Sequence, residues 1–263
     1  MRDILEDAEG AVERGDIGPG KANRGQDKQK FPKRFYEAVS IAETETGFGV
    51  ELDGKTVKTP GRVALEMPTS ESAQLVADEW SAITDEINPL LMPVTRLANT
   101  AVDGVANEMQ AVMEDIVRYS SSDLLCYRAD GPAGLVDAQR KHWDPILDWM
   151  DNDVGARFEL AEGIMHINQP KEAIAAVGVR LKNHEEPFKL ACVHTFTSLS
   201  GSALIALALA EGFLDADAAW NAAHVDEDWN VGQWGEDHEA AARRKQRHMD
   251  FTSAHRLLCA VGL

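Results

Sequence analysis

Three side chains near the C-terminal end are of types that bind metal ions, namely His224, Asp228 and His238. Imidazole nitrogens and carboxylate oxygens are common ligands of zinc. If residues 224–228 are helical, His224 and Asp228 lie four residues apart and share one face of the helix. His238 could then supply a third ligand, which keeps a metal-dependent hydrolase open as an alternative function. Solvated polar side chains explain the same residues more simply, so we expect no bound metal.

The other reactive residue types lack the spacing that catalysis requires. Cys192 and His194 are two residues apart in a predicted helix, so their side chains point apart and cannot form a nucleophile–base pair. The sequence contains no G-x-S-x-G, G-x-x-x-x-G-K, H-E-x-x-H or G-x-G-x-x-G motif. None of the three cysteines belongs to a C-x-x-C pair, which argues against a zinc ribbon or a thioredoxin-type site. The residues alone therefore indicate no catalytic centre.

A different pattern of residue types fills positions 226–247, where tryptophans stand beside carboxylates. Trp229 and Trp234 lie among acidic residues, and no lysine or arginine occurs before Arg243. The acidic side chains of this stretch are Asp226, Glu227, Asp228, Glu236, Asp237 and Glu239. Aromatic side chains are enriched at the energetic centres of protein interfaces. The stretch is either a surface that recognises a partner or a helix corner anchored by tryptophan and carrying solvated acids.

The net charge of −18 over 263 residues restricts the possible partners. Binding to a nucleic-acid backbone needs clustered lysine and arginine, so we expect no nucleic-acid partner. An anionic membrane surface is disfavoured for the same reason, whereas a basic or neutral partner is favoured. The one long uncharged run, residues 190–210, has the length of a membrane span. Because its first half contains polar side chains, we interpret it as a central buried helix and expect no integral membrane association.

The N-terminal third of the sequence predicts a small β unit. Residues 1–30 contain few large apolar side chains, which predicts a disordered tail. Alternation at Phe48–Leu52 predicts a strand, and Asp53-Gly54 is a strong hairpin signal. Residues 55–58 should return as a second strand, with a further strand at 63–67. A helix follows, beginning near Thr69 and packing Trp80 onto the sheet.

From Thr95 onward the apolar residues repeat at helical spacing. We expect one long helix over 95–116, a helix near 135–150, and a single central helix from Pro187 to Gly212. Asp215 should begin a helix that extends towards Trp229, with breaks at Gly232 and Gly235, and the last helix should begin at Glu236 and Asp237. The predicted fold class is α+β: a small antiparallel β domain with one helix at residues 31–92, followed by an all-helical domain at 93–263.

Seven segments, in the same order along the chain, carry a resemblance to a known family. The chain resembles the ATP synthase assembly chaperones that act on the alpha subunit of the F-type catalytic head, found in mitochondria and alphaproteobacteria. The segments are K-R-F-Y at 33–36, L-D-G-K-T-V-K-T-P at 52–60, E-W at 79–80, M-P-V-T-R-L-A-N-T-A-V-D at 92–103, D-L-L-C-Y-R-A at 123–129, W-D-P-I-L-D-W at 143–149 and W-G-E-D-H-E-A at 234–240.

The resemblance implies a chaperone that is not an enzyme, binds the free alpha subunit and needs no cofactor. It also places the family's acidic motif on Glu236, Asp237 and Glu239, beside Trp234. With Arg243, these residues are our expected partner-binding site, and Trp229 is expected to anchor the corner. We expect a monomer. Because residues 1–30 do not resemble a mitochondrial transit peptide, we expect a bacterial cytoplasmic protein, or a mitochondrial matrix protein if the chain is eukaryotic.

Overall fold

The computed structural model describes residues 31–163 and 165–262. The predicted disordered tail at 1–30 lies outside the described residues. A small antiparallel sheet comes first and helices follow, so the predicted α+β class is confirmed. The chain forms two compact units, which meet in the sequence between Asp103 and Gly104.

In the first unit, a central strand pairs with three others. Strand β1 is Val39–Glu43, β2 is Phe48–Leu52, β3 is Lys55–Thr56 and β4 is Glu66–Met67. Strand β2 pairs antiparallel with each of the others. The predicted hairpin is present, because Asp53 and Gly54 adopt φ values of 51° and 74°, the left-handed conformation that tight hairpins require.

Helix α1, Ser70–Ala82, begins at the predicted cap, where the Thr69 side chain accepts a hydrogen bond from the Ser72 N–H. The buried Trp80 packs edge-on to Tyr36, whose hydroxyl donates to the Trp80 carbonyl over 2.6 Å. A 3₁₀ turn at Pro89–Leu91 leads to α2, Pro93–Thr100.

A single side chain explains why α2 belongs to the first unit. The Glu79 carboxylate of α1 accepts hydrogen bonds from the backbone N–H groups of Val94 and Thr95, over 2.8 and 2.7 Å. It thereby satisfies the N-terminal donors of α2, which otherwise have no intrahelical partner. The sequence prediction put the boundary at 92/93, whereas the first compact unit extends to Asp103.

The second unit is built from eight α-helices in its described part. They are α3 Ala106–Ser120, α4 Ala133–Trp149, α5 Lys171–Leu181, α6 Pro187–Ser200, α7 Ala203–Ala210, α8 Ala216–Ala223, α9 Val225–Trp234 and α10 His238–Val261. Shorter helical turns occupy Leu124–Cys126, Met150–Val154 and Lys182–His184. The unit also contains a short parallel pair, β5 Tyr127–Arg128 with β6 Ala161–Glu162, which the sequence did not predict.

The predicted single central helix is wrong, because the chain breaks it into α6 and α7. Gly201 adopts a φ of 71° and ends α6, since this left-handed conformation stops a helix. Ser202 then begins α7, accepting a hydrogen bond from the Ile205 N–H over 3.0 Å. Every residue of α7 is buried. In the described part of the chain, no helix is both long enough and apolar enough to cross a membrane.

Three other helix boundaries differ from the predictions. The predicted helix over 95–116 is interrupted by a π-helical turn at Ala101–Val105. The helix that begins at Asp215 breaks at His224, which separates α8 from α9. Helix α9 passes through Gly232 without interruption and ends at Gly235, whose φ is 85°. As predicted, the last helix begins at Asp237, whose side chain caps it.

The break between α6 and α7 is held by a buried carboxylate. Asp123 accepts hydrogen bonds from the Ser202 hydroxyl over 2.6 Å and from the Leu204 N–H over 3.2 Å. It also accepts one from the Leu125 N–H over 3.2 Å. The negative charge faces the positive end of α7. Complete burial nevertheless dominates and raises the pKa of Asp123 to about 6.

This pKa predicts an unusual pH dependence of stability. Because the folded-state pKa lies above the ordinary 3.8, the contribution of Asp123 to the free energy of unfolding is fully present below about pH 4 and is lost as the pH rises through about 6. We expect the free energy of unfolding of the wild type, minus that of Asp123→Asn, to fall by roughly 3 kcal/mol between about pH 4 and pH 7.

Urea denaturation at several pH values measures this difference. Asp217→Asn is the matched control, because Asp217 is exposed in the first turn of α8 and should show no such change. A difference that rises with pH for Asp123→Asn would contradict the prediction. It would mean that the hydrogen bonds to the carboxylate outweigh its burial.

Candidate functional site

The α9–α10 corner, defined here as residues 225–243, contains the acidic and tryptophan-bearing stretch. Its first helix is joined to α8 at His224, whose side chain is only 2% exposed. The His224 ring lies against the Trp220 ring, with a centroid distance of 3.8 Å and an angle of 31° between the ring planes. Its Nδ1 lies 2.8 Å from the Trp220 carbonyl oxygen, and because a carbonyl can only accept, Nδ1 carries the proton. Burial lowers the pKa of His224, so the ring is neutral at neutral pH.

Within the described residues, the structure does not bring His224, Asp228 and His238 together as a set of metal ligands. Asp228 does not share a ligand set with His224, because it forms an ion pair with Arg244, with an N–O distance of 2.5 Å. His238 is exposed at the first position of α10. Within residues 31–163 and 165–262, no group of three or more histidine, cysteine, aspartate or glutamate side chains could hold a metal ion.

The indole of Trp229 fixes α9 against α4. Its ring lies so close to Gly134 that a Cβ added to this glycine would come within 2.4 Å of the Trp229 Cη2 atom. A polar contact also connects α9 to α4, because the Gln139 amide nitrogen donates to the Asp226 carboxylate over 2.8 Å. The side-chain oxygen of Gln139 accepts a hydrogen bond from the Ala129 N–H over 2.9 Å. Trp229 is thus half-buried and acts as an anchor, in agreement with the expectation for it.

Trp234 has the opposite environment, because its side chain is 87% exposed at the last position of α9. Val231, one turn earlier on the same helix, is also partly exposed. The chain then turns at Gly235, and Asp237 caps α10 by accepting a hydrogen bond from the Ala240 N–H over 2.8 Å. The two tryptophans of the corner therefore differ: one packs inward and the other faces solvent.

The residues predicted as the partner-binding site are all exposed. They are Trp234, Glu236, Asp237, Glu239 and Arg243. Arg243 and Glu239 form a loose ion pair one turn apart on α10, with an N–O distance of 3.6 Å. Arg244, which sequence reasoning considered as a partner of the same acids, instead pairs with Asp228 on α9 and ties the two helices of the corner together. The exposed acids therefore keep most of their negative charge available.

Sequence reasoning missed the residues that position the corner. Gly134 and Gln139 belong to α4, about 90 positions before the residues they contact. Neither glycine nor glutamine shows a periodic or motif signal that would point to such a contact. Arg247 donates from its Nη2 atom to the Leu199 carbonyl over 2.5 Å and thereby connects α10 to the end of α6. No pattern in the sequence indicated this contact either.

Comparisons with known proteins agree with this architecture. The family model described as "ATP12 chaperone protein" matches residues 33–151. A crystal structure of a putative chaperone from Agrobacterium tumefaciens is similar, with 50% identity and a TM-score of 0.86, over 99% of this chain and 97% of that one. Atp12 from Paracoccus denitrificans is also similar, with 34% identity and a TM-score of 0.81, over 87% of this chain and 98% of that one.

A variant of Gly134 tests the anchoring role of Trp229. In Gly134→Ala the added methyl group collides with the indole, so we expect the free energy of unfolding to fall by about 1–3 kcal/mol. Gly232→Ala is the matched control, because a Cβ at this helical glycine meets nothing within 4 Å. The control should raise the free energy of unfolding by up to about 1 kcal/mol through helix propensity. Urea denaturation of both variants decides the question, and equal stabilisation by both would show that Trp229 does not pack on Gly134.

Proposed function

The chain belongs to the ATP12 chaperone family, which chaperones ATP synthase assembly, and on this premise we propose that it binds the free alpha subunit of F-type ATP synthase through the α9–α10 corner. The chaperone covers a surface of the alpha subunit that is exposed before assembly and is displaced when the beta subunit arrives. It acts as a monomer, performs no catalysis, and works where the catalytic head is assembled, in the bacterial cytoplasm or the mitochondrial matrix.

The observation that carries the proposal is the exposure of Trp234. A tryptophan that is 87% exposed leaves most of a large apolar surface in water. Burying such a side chain in a partner gains roughly 25 cal/mol for each Å² of apolar surface removed from water. Because tryptophan is enriched among the residues that dominate binding energies, an exposed indole at a helix end supports a role in recognition. The anchored Trp229, five residues earlier on α9, holds this helix in place.

The charges around Trp234 support a particular kind of partner. Glu236, Asp237 and Glu239 are exposed beside it, and Arg243 offsets only part of their charge. A patch with an apolar centre and an acidic rim suits a partner surface that combines apolar and basic side chains. The acidic rim also speeds encounter with a basic surface and opposes association with acidic proteins.

The first prediction from this proposal concerns a charge reversal at the rim. Glu239→Lys should weaken capture of the alpha subunit about tenfold, because the new cation repels a basic partner. Its thermal midpoint should change little, since Glu239 is exposed and its ion pair is loose. The measurement is the affinity for separately expressed alpha and beta subunits in a pull-down or by interferometry.

Glu172→Lys is the matched control for this reversal. Glu172 is exposed at the second position of α5, as Glu239 is at the second position of α10. The two variants therefore make the same change of charge at equivalent helical positions. Equal capture by wild type and Glu239→Lys, or an equal loss in both variants, would count against the corner as the binding surface.

A second prediction separates the two tryptophans. Trp234→Ala should weaken capture of the alpha subunit by about 2 kcal/mol or more, while changing the free energy of unfolding by no more than about 0.5 kcal/mol. Trp229→Ala is the contrast, because removing the anchor should lower the free energy of unfolding by about 2 kcal/mol or more. Denaturation and binding are measured on both variants. If Trp234→Ala unfolds the protein, the exposed indole is structural and the proposal loses its main support.

A further inference from the structure

Strand β1, Val39–Glu43, forms one edge of the sheet in the first unit. Within residues 31–163 and 165–262 it pairs with β2 alone, whereas β2 also pairs with β3 and β4. An edge strand presents backbone N–H and C=O groups that no neighbouring strand uses, and an added strand can bond to them. The outer edge of β1 is therefore a position at which another extended segment can join the sheet.

Two backbone hydrogen bonds show which residues of this arm of the hairpin face β2. At one end the Asp53 N–H donates to the Ala38 carbonyl over 3.0 Å, and at the other the Thr44 N–H donates to the Gly47 carbonyl over 2.8 Å. Bonded and non-bonded pairs alternate along an antiparallel ladder. The even-numbered residues from 38 to 44 are consequently the ones whose backbone groups point towards β2.

The backbone N–H and C=O groups of Val39, Ile41 and Glu43 therefore point away from β2, towards the open side. The side chains of β1 also show that this side is open. Val39 and Ile41 are only half-buried, although the residues opposite them on β2, Leu52 and Val50, are buried. A strand placed beside β1 covers both side chains and removes their remaining apolar surface from water.

The edge lacks the features by which proteins commonly prevent strand addition. Strand β1 contains neither proline nor lysine, and its register on β2 runs through all five residues without a bulge. The charged side chains along it are all acidic, because Glu37, Glu43 and Glu45 are exposed and residues 35–54 contain no lysine or arginine. The edge is thus open to a strand, but with a strong charge preference.

These acids decide between two possible occupants of the edge. Antiparallel pairing with a second copy, matched over the full length of β1, brings Glu37 of one copy beside Glu43 and Glu45 of the other at both ends. Like charges on neighbouring strands destabilise their pairing, whereas opposite charges stabilise it. The charges therefore disfavour a second copy and favour an extended segment with basic side chains.

We propose that the β1 edge binds an extended, basic segment of the partner protein as an added antiparallel strand. That the partner is the alpha subunit rests on the proposed function. The segment carries lysine or arginine beside Glu43 and Glu37, with two apolar side chains between them, opposite Ile41 and Val39. Its backbone bonds to the outward groups of β1 supply affinity, and its side chains supply selectivity.

A peptide with this pattern tests the edge in the full-length chain. The probe is acetyl-K-K-T-V-T-V-T-K-amide, whose two valines align with Ile41 and Val39. The measurement is hydrogen exchange of backbone amides, followed by NMR of the ¹⁵N-labelled protein. The peptide should slow exchange of the Val39, Ile41 and Glu43 amides several-fold. The amides of Ser40 and Ala42 should change little, because they already bond to β2.

Two further peptides separate strand addition from simple attraction between charges. The peptide acetyl-K-K-T-P-T-P-T-K-amide keeps the charge but lacks two N–H groups that would face β1, and acetyl-E-E-T-V-T-V-T-E-amide keeps the strand pattern with reversed charge. Neither should slow exchange at residues 39, 41 and 43. No protection by the probe, or equal protection by the proline peptide, overturns the proposal. Slow exchange of these amides in the free chain also overturns it, since the edge would then already be covered.

Variants of Glu43 test the charge and the backbone separately. Glu43→Gln should weaken binding of the probe about two- to fivefold, the effect of one cross-strand ion pair. Glu43→Pro should weaken it at least tenfold, because it also removes an outward N–H. Since that N–H does not bond to β2, both variants should keep the fold, which urea denaturation checks. Glu71→Gln, at an exposed acid in the first turn of α1, is the matched control and should bind as the wild type does.

The oligomeric state tests the competing occupant. Sedimentation velocity is measured on the wild type and on Glu43→Pro over a range of protein concentrations. We expect a monomer in both. A dimer of the wild type that Glu43→Pro dissociates would assign the edge to a second copy and overturn the proposal.

Capture of the alpha subunit separates failure of this inference from failure of the proposed function. Glu43→Pro should weaken capture about tenfold, and Glu71→Gln should leave it unchanged. If the wild type captures the alpha subunit and a folded Glu43→Pro captures it equally well, the edge proposal is overturned and the proposed function stands. If the wild type fails to capture the alpha subunit while the probe still protects residues 39, 41 and 43, the strand preference of the edge is supported and the proposed function is overturned.

Discussion

The packing of the Trp229 indole on Gly134 is the contact on which the candidate site depends. A glycine at position 134 lets the ring approach the α4 backbone, and this approach sets where α9 lies. Once α9 is fixed, the position of its last residue, the exposed Trp234, is fixed as well. The ion pair between Asp228 and Arg244 then holds α10 to the same helix. A binding surface needs such support, because an exposed side chain contributes most to affinity when its position is fixed before the partner arrives.

The polar groups around the corner divide into those that are internally satisfied and those that are not. Asp226 receives the Gln139 amide, Asp237 caps α10, and Arg247 satisfies a carbonyl at the end of α6. These groups are explained by the fold. The exposed carboxylates of Glu236 and Glu239 beside Trp234 are not held by the fold in this way, and they are the groups that we assign to recognition. The same division explains why the described residues offer no site for a metal: His224 and Asp228 each already have a structural partner.

The sequence predicted those structural features that depend on residues close together in the chain. The hairpin at Asp53-Gly54, the cap at Thr69 and the start of the last helix at Asp237 all depend on residues within a few positions of one another. The break at Gly201 was missed because the apolar run continues across it, although a glycine followed by a serine cap could have indicated it. The contacts of Gly134, Gln139 and Asp123 were beyond prediction, since each joins segments about 80 or more positions apart. The candidate residues at 234–243 came from the family resemblance. The structure gives their exposure, whereas their role is a proposal.

Hydrogen exchange of the full chain with and without the free alpha subunit tests the central claim most directly. The account predicts slower exchange of backbone amides across residues 225–243 when the alpha subunit is present, with no comparable change on addition of the beta subunit. Helix α5, at Lys171–Leu181, serves as an internal reference and should exchange at the same rate in all samples. Unchanged exchange in residues 225–243, together with protection of α5 or of residues 31–103, would contradict the account, because the alpha subunit would then be bound by a different surface.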